Sequence, residues 1–360
     1  MQPDATAFFL DLLNTPSPSG FEAPGQRRWA QRLADVPVEL QSDAYGNTWA
    51  TLPGRGPASA PRLMIEAHAD EIGFMINRIT QDGFLHITRI GGSDAAVARG
   101  RRVTLLGDQG PVDGVIGITA IHLRDRKDEK VPGWKSITID IGATSPEEVA
   151  ERGLRVGHPA VFSAATTELT PGRFVGRAID NRVGGFIIAE VMRNLTTEGA
   201  PVCHTLAVNA VQEEIGGNGA RMITYRLQPT VAIVIDVTHA TDTPGIDQGQ
   251  HGAVTLGGGP SVTHGTANHP MVVQRLLEVA AAEDVTIQHE ASSRFTGTDT
   301  DDVFVSRGGV PSALVSIPMR YMHSPVEMVD AADIEATIRL LTAFARSIQA
   351  TDVFKVDVGV

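Results

Sequence analysis

Cysteine is nearly missing: Cys203 stands alone in 360 residues, so no intrachain disulfide can form. The fold must rest on packing, and the composition suits a reducing, cytoplasmic setting. Cys203 borders an apolar run and is expected to pack as a small core residue. Long hydrophobic runs are missing too, since no stretch approaches the roughly 20 apolar residues that cross a bilayer. Met1 to Leu13 carries Asp4 and Asp11 with no basic flank, so no secretory leader is expected there. Basic charge is in deficit: 30 Lys and Arg face 42 Asp and Glu, a formal charge of −12. That argues against nucleic acid or an anionic membrane as a partner and leaves carboxylates available for cations. Internal repeats and low-complexity tracts are absent as well.

What is present is an alternation of helical and strand patterns, interrupted once. A prior of about 150 residues per domain predicts two domains. Helices are expected from Asp4, as cap, to Asn14 and from Glu22 to Ala34, with strands at Val38–Gln41, Thr48–Leu52 and Leu63 to about Asp70. From Gly73 to about Phe162 the texture changes to short alternating strands with glycine turns, which predicts a small β-barrel or sandwich. Within it, the charged run His122 to Lys130 reads as an exposed loop. The α/β pattern returns near Thr170. It gives a strand Arg173–Ala178, a helix Arg182–Arg193, strands Val202–Val211 and Val231–Asp236, and a helix Pro270–Ala282. Strands Val285–His289 and Ser312–Pro318 and a last helix, Ala331–Gln349, complete it. The reading is an α/β domain split in sequence, residues 1–70 and 166–360, around an inserted β domain, residues 71–165.

Polar residues fall where the apolar strands end: His68-Ala-Asp70, Asp180, Glu213-Glu214, Asp236 and His323. Each alone is more often a cap or a satisfied polar group. In an open α/β sheet, however, strand ends meet at one edge, where ligands bind. Carboxylates gathered there would repel one another unless cations intervened. The set suits two divalent metals, with His68 and Asp236 on one, Glu214 and His323 on the other, and Asp180 bridging. Three carboxylates against two Zn²⁺ leave one positive charge for a bridging hydroxide, the expected nucleophile. Mixed imidazole and carboxylate ligation favours Zn²⁺, with Co²⁺ or Mn²⁺ as alternatives. Glu213, left unligated, is the expected general base. Asp70 is placed to accept the second ring N–H of His68.

The chain resembles the M42 family of metallo-aminopeptidases, the glutamyl and deblocking aminopeptidases of the TET type, some of which have been labelled endoglucanases. The resemblance rests on Ala67-His68-Ala69-Asp70-Glu71-Ile72-Gly73, Ile139-Asp140-Ile141-Gly142 and Ala178-Ile179-Asp180-Asn181-Arg182. It continues in Val211-Gln212-Glu213-Glu214-Ile215-Gly216, Ile235-Asp236-Val237-Thr238-His239, Gly297-Thr298-Asp299 and Arg320-Tyr321-Met322-His323-Ser324-Pro325-Val326-Glu327. The resemblance implies a three-layer α/β/α dinuclear zinc exopeptidase domain carrying a small inserted β-barrel for oligomerisation and substrate access. It implies hydrolysis of N-terminal residues from peptides, and assembly into homo-oligomers, often dodecameric. His68, Asp180, Glu214, Asp236 and His323 match the family's ligand positions and Glu213 its base. Ala69, His158 and Gly217-Asn218 depart from the family pattern, and the last pair leaves subsite preference open. A metal-free glycosidase using paired carboxylates and a non-catalytic shell protein are the alternatives; neither gives His68 and His323 a task. His122, His239, His264, His269 and His289 are expected to be structural or superficial. Tyr321 and the methionines are expected in the core, and residues 292–302 at the substrate pocket.

Overall fold

The computed structural model describes residues 1–124 and 133–359. The chain opens with α1 (Pro3–Asn14), α2 (Ala23–Arg32), β1 (Glu39–Ser42), β2 (Thr48–Leu52) and β3 (Arg62–His68). Then follow β4 (Gly73–Ile79), β5 (Leu85–Ile90), α3 (Ala95–Ala98), β6 (Arg102–Gly107), β7 (Gly110–Ile116), β8 (Thr138–Asp140), α4 (Pro146–Glu151) and β9 (Pro159–Phe162). Next are β10 (Thr167–Thr170), β11 (Arg173–Gly176), α5 (Ile179–Thr197), β12 (His204–Ala210), α6 (Asn218–Leu227) and β13 (Val231–His239). The chain closes with α7 (Gln248–His251), β14 (Ser261–His264), α8 (Pro270–Ala282), β15 (Gln288–Ala291), α9 (Thr300–Val303), β16 (Ser312–Met319), β17 (Glu327–Asp330) and α10 (Ala331–Ser347).

Eight strands form the main sheet in the order β1-β2-β12-β3-β13-β16-β14-β15. Its centre, β12, β3, β13 and β16, is parallel. Parallel strands covered on both faces read as unbroken apolar runs, which is why Val231–Ile235 and Ser312–Met319 are legible from sequence. Alternate residues serve opposite faces. Leu63, Ile65, Ile233 and Ile235 join the core under α1, α2, α5, α8 and α10. Met64, Ala232 and Val234 join a smaller core under α6 and α9. The result is the expected three-layer α/β/α arrangement.

The interrupting segment closes into a six-stranded barrel, β4-β5-β8-β7-β6-β9, around Phe74, Leu85, Val103, Leu105, Ile139 and Phe162. Of the loop expected at His122–Lys130, His122 and Leu123 are exposed, and residues 125–130 lie outside the described residues.

Several local expectations change. Helix α1 starts at Pro3, which places Asp4 inside the first turn, beside the free N-terminal amides, rather than at the cap. Strand β15 runs Gln288–Ala291 instead of Val285–His289, because buried Val285 belongs to the turn after α8. Tyr321 is 45% exposed and Met271 42%, so neither is a core residue. Tyr321 sits in the turn after β16 and Met271 in the first turn of α8. Cys203 is fully buried.

Candidate active site

Strand β3 ends on His68, paired in register with Ala210, the last residue of β12. Just beyond, Glu213 and Glu214 occupy the turn into α6, where Gln212 adopts φ 62° and the Glu213 carbonyl accepts from Gly216 and Gly217. Val234 pairs with Glu66, which puts Asp236 level with His68 on the neighbouring strand. Asp236 therefore lies within β13, which continues to His239, and not at its end as the sequence suggested.

Asp180 also arrives by another route than expected. Strand β11 stops at Gly176 and belongs to a separate sheet, β10-β11-β17. The chain then turns through Ala178 at φ 58° and enters α5 with non-helical backbone at Asp180 and Asn181. Asn181 Nδ2 donates a 2.7 Å hydrogen bond to the Ile235 carbonyl, tying this start to β13 beside Asp236. His323 lies in the turn between β16 and β17 at φ 61°.

The structure brings all these side chains together. His68 Nε2 lies 3.2 Å from Asp180 Oδ1, 3.7 Å from Glu213 Oε2 and 3.8 Å from Asp236 Oδ1. His323 Nε2 lies 3.3 Å from Asp180 Oδ2 and 3.6 Å from Glu214 Oε2. Two candidate donor groups result, His68–Asp180–Asp236 and Asp180–Glu214–His323, each with its donor atoms within 4.8 Å of one another. The nitrogen and oxygen donors, with no thiolate, fit a borderline divalent ion. Glu214 Oε1 is buried without a hydrogen-bond partner among the described residues, as a donor atom awaiting an ion would be.

Asp70 does more than face the His68 ring. Its Oδ1 lies 3.4 Å from His68 Nδ1, a charge contact too poorly aligned for a good hydrogen bond. Oδ1 also accepts from the Glu213 amide at 3.0 Å. Oδ2 accepts from the Glu214 amide at 3.2 Å and from Ser19 Oγ at 2.6 Å. One buried carboxylate thus fixes both β3 and the double-glutamate turn.

Electrostatics follow from crowding. Burial, reinforced by Asp299, Asp180 and Asp70 and opposed by His68, pushes Glu213 up to about 8. Burial and Asp180 raise Glu214 well above the carboxylate range, and burial does the same to Asp236. Asp180 goes the other way: burial opposes it, but hydrogen bonds from His323 and His68 hold it low. Burial works against a charged His68, yet the surrounding acids raise it well above its ordinary value.

Some residues at the site stood in the quoted motifs, or near them, but the sequence reading gave them no role. Glu327 is buried; its Oε2 accepts from the Ile179 and Asp180 amides at 2.8 and 3.2 Å, and its Oε1 from the His323 amide at 3.0 Å. It thereby links two members of one donor group, Asp180 and His323. The available signal was its place four residues after His323. Glu71 is clamped by Arg177 and, at 2.7 Å, by Arg182 Nη2, all three buried. The barrel also reaches the site. A Cβ at Gly92, after β5, would lie 2.4 Å from His323 Nδ1, so only glycine fits beside that ring.

The cluster opens into a cavity of about 580 Å³ whose walls include Gly217, Asp301 and Asp302. Gly217 has φ 63°, and a Cβ there would lie 1.8 Å from Asp302 Oδ2, so glycine and Asp302 occur as a matched pair. Exposed His239 stands in the cavity wall; His264 and His289 pair with each other at 2.9 Å on the outside.

Buried and half-buried histidines and acids converging at the edge of an open α/β sheet mark a hydrolase of the metal-dependent class. The family signature of the M42 glutamyl aminopeptidases matches residues 46–340, and the chain belongs to that family and is a peptidase. A lysyl aminopeptidase of Pyrococcus furiosus is 36% identical, over 95% of this chain and 96% of the relative. The solved structure of aminopeptidase APDkam598 from the archaeon Desulfurococcus kamchatkensis superposes with a TM-score of 0.88 at 33% identity, covering 95% of this chain and 94% of that one. The TET1 peptidase of Pyrococcus horikoshii, which can assemble into a tetrahedron or a large octahedral shell, gives a TM-score of 0.84 at 28% identity, covering 95% of this chain and 99% of that one.

Proposed function

We propose that the protein is a dinuclear metal-dependent aminopeptidase that removes N-terminal residues from peptides. The observation that carries the reading is Asp180, with one oxygen toward His68 and the other toward His323. His68 and Asp236 would hold one ion and Glu214 and His323 the other, with Asp180 shared. Bound divalent ions would supply Lewis acidity and bring the pKa of water from 15.7 towards about 7. Glu213 takes a proton from the attacking water as the new C–O bond forms. It returns that proton to the leaving amine as the peptide C–N bond breaks. Burial and the neighbouring acids raise Glu213 in the metal-free site; bound cations would bring it back down and leave it ionised at neutral pH, as a general base must be. Asp70 positions rather than reacts: it sets the His68 ring and the turn bearing Glu213 and Glu214.

Zinc is the first choice of ion, with cobalt or manganese acceptable to the same donors. We read residues 1–70 and 166–360 as the catalytic domain and 71–165 as an inserted domain for self-association and access. Self-association into a homo-oligomer, with the dodecamer as the form proposed, is supported by the assembling relatives. A cytoplasmic setting is supported by the lone cysteine. None of the described helices is long and apolar enough to cross a membrane.

The test is elemental analysis combined with hydrolysis of aminoacyl-anilides. Two ions per chain are expected, with activity lost on chelation and restored by Zn²⁺ or Co²⁺. Full activity after complete metal removal would overturn the reading.

A further inference from the structure

Beside the main cavity lies a second one of about 320 Å³, and the two share Val237, Thr238, Thr296 and Thr298 in their walls. A substrate held at the cluster has this recess next to it. The way in follows β13. Thr238 lies on the same face of the strand as Asp236, two residues and roughly 7 Å further on. At that point the recess becomes polar. Thr238 Oγ1 donates a 2.6 Å hydrogen bond to Glu290 Oε1, on edge strand β15. Glu290 Oε2 has no hydrogen-bond partner among the described residues. Val237, Phe295 and Leu314 give the remainder some apolar surface, set among the hydroxyls of Thr263, Ser292 and Ser316. A passage of mixed aliphatic and hydroxyl surface ending on an unmatched carboxylate oxygen suits an aliphatic stem with a cationic head.

The wider electrostatics point the same way. Among the described wall residues the main cavity has Asp301 and Asp302 and no lysine or arginine. Asp302 is paired at 2.6 Å with Arg221, which is itself exposed. Arg294 is a cation in the wall of the recess, but it is exposed, where water and salt screen it.

We propose that this recess receives the side chain of the substrate's N-terminal residue and that Glu290 selects lysine or arginine. The assignment rests on the aminopeptidase reading. An ammonium or guanidinium group supplies the partner that Glu290 Oε2 lacks. An acidic side chain brings a second anion against Glu290, with Asp301 and Asp302 in the wall of the adjoining cavity. An apolar side chain meets neither gain nor repulsion. The expected order is basic, then apolar, then acidic.

The experiment compares Lys-, Arg-, Leu- and Glu-p-nitroanilides on the Zn²⁺- or Co²⁺-loaded protein, alongside calorimetric binding of lysinamide, leucinamide and glutamate amide. Lysine and arginine substrates are expected to lead in kcat/KM, and lysinamide to bind most tightly. In Glu290→Gln the Lys-to-Leu ratio of kcat/KM should fall roughly 10- to 100-fold, the size of a charged hydrogen bond. A ratio cancels any loss of folded protein. Arg294→Ala should move the ratio less than Glu290→Gln does. A preference for Leu or Glu, an unmoved ratio in Glu290→Gln, or a larger effect from Arg294→Ala overturns the assignment while leaving the peptidase reading intact. If no anilide is cleaved but lysinamide binds selectively and loses that selectivity in Glu290→Gln, the peptidase reading fails while Glu290 stands as the binding site for a basic group.

Discussion

Asp180 divides its carboxylate between two histidines, Oδ1 3.2 Å from His68 Nε2 and Oδ2 3.3 Å from His323 Nε2. The residue is common to both donor groups. Asp180→Asn keeps the shape and removes the shared charge, so both ions should be lost together. His323→Ala should empty one group first. Metal content by elemental analysis separates the cases, and an Asp180→Asn protein retaining its full complement would defeat the bridging role.

Glu213→Gln should lower kcat by about 10²–10⁴ while leaving metal content intact, because Glu213 belongs to neither donor group. Loss of metal in this variant would make Glu213 a ligand instead of the base.

Metal-free protein should lose stability as pH rises. Glu213 and Glu66 are raised by burial from 4.5 to about 8, and burial raises Glu214 and Asp236 as well. Between about 4.5 and 8 the folded state therefore binds more protons than the unfolded chain, and the stability these groups contribute at low pH is lost as pH passes through the folded values. The raised histidines act in the same direction. Thermal melts of chelated protein should shift downward from pH 5 to 8, and added Zn²⁺ should restore the melting temperature most at the upper end. A melt that rises with pH in the chelated protein would contradict the buried-acid picture.

Gly92→Ala should displace the His323 ring, since the new Cβ would lie 2.4 Å from Nδ1. Weaker metal retention with unchanged far-ultraviolet circular dichroism is expected. Wild-type metal affinity would mean that the neighbouring loop yields instead.

Glu327→Gln replaces an acceptor of three backbone N–H groups with one that can satisfy them only in part. A stability loss of about 1–3 kcal/mol is expected from the imperfectly satisfied donors. Metal affinity should fall roughly 10- to 100-fold, as for other outer partners of ligands. Chemical denaturation and metal titration measure the two effects separately, and an unchanged affinity would reduce Glu327 to a structural role.

Much of this was legible because parallel strands announce themselves. The runs before His68 and through Asp236 are apolar on both faces, so their polar residues stand out. Asp180 was found as a residue but attached to the wrong element, since its position depends on an irregular helix start that no periodicity encodes. The clamp of Arg177 and Arg182 on Glu71 joins residues more than a hundred positions apart and leaves no local trace. The strand pattern alone left barrel or sandwich open, and only the family resemblance pointed to a barrel, for a related reason: closure depends on β9 pairing with both β4 and β6, contacts set by the whole segment.

The chain leaves the main sheet at His68, passes through Asp70 into β4, and from the far end of β5 brings Gly92 back against His323. The barrel is thus stitched to the chemistry at two points rather than hung from a tether. Excising residues 71–165 and bridging the gap would not yield a minimal enzyme; it would strip one imidazole of its neighbour, so the two lobes are inherited as a single working part.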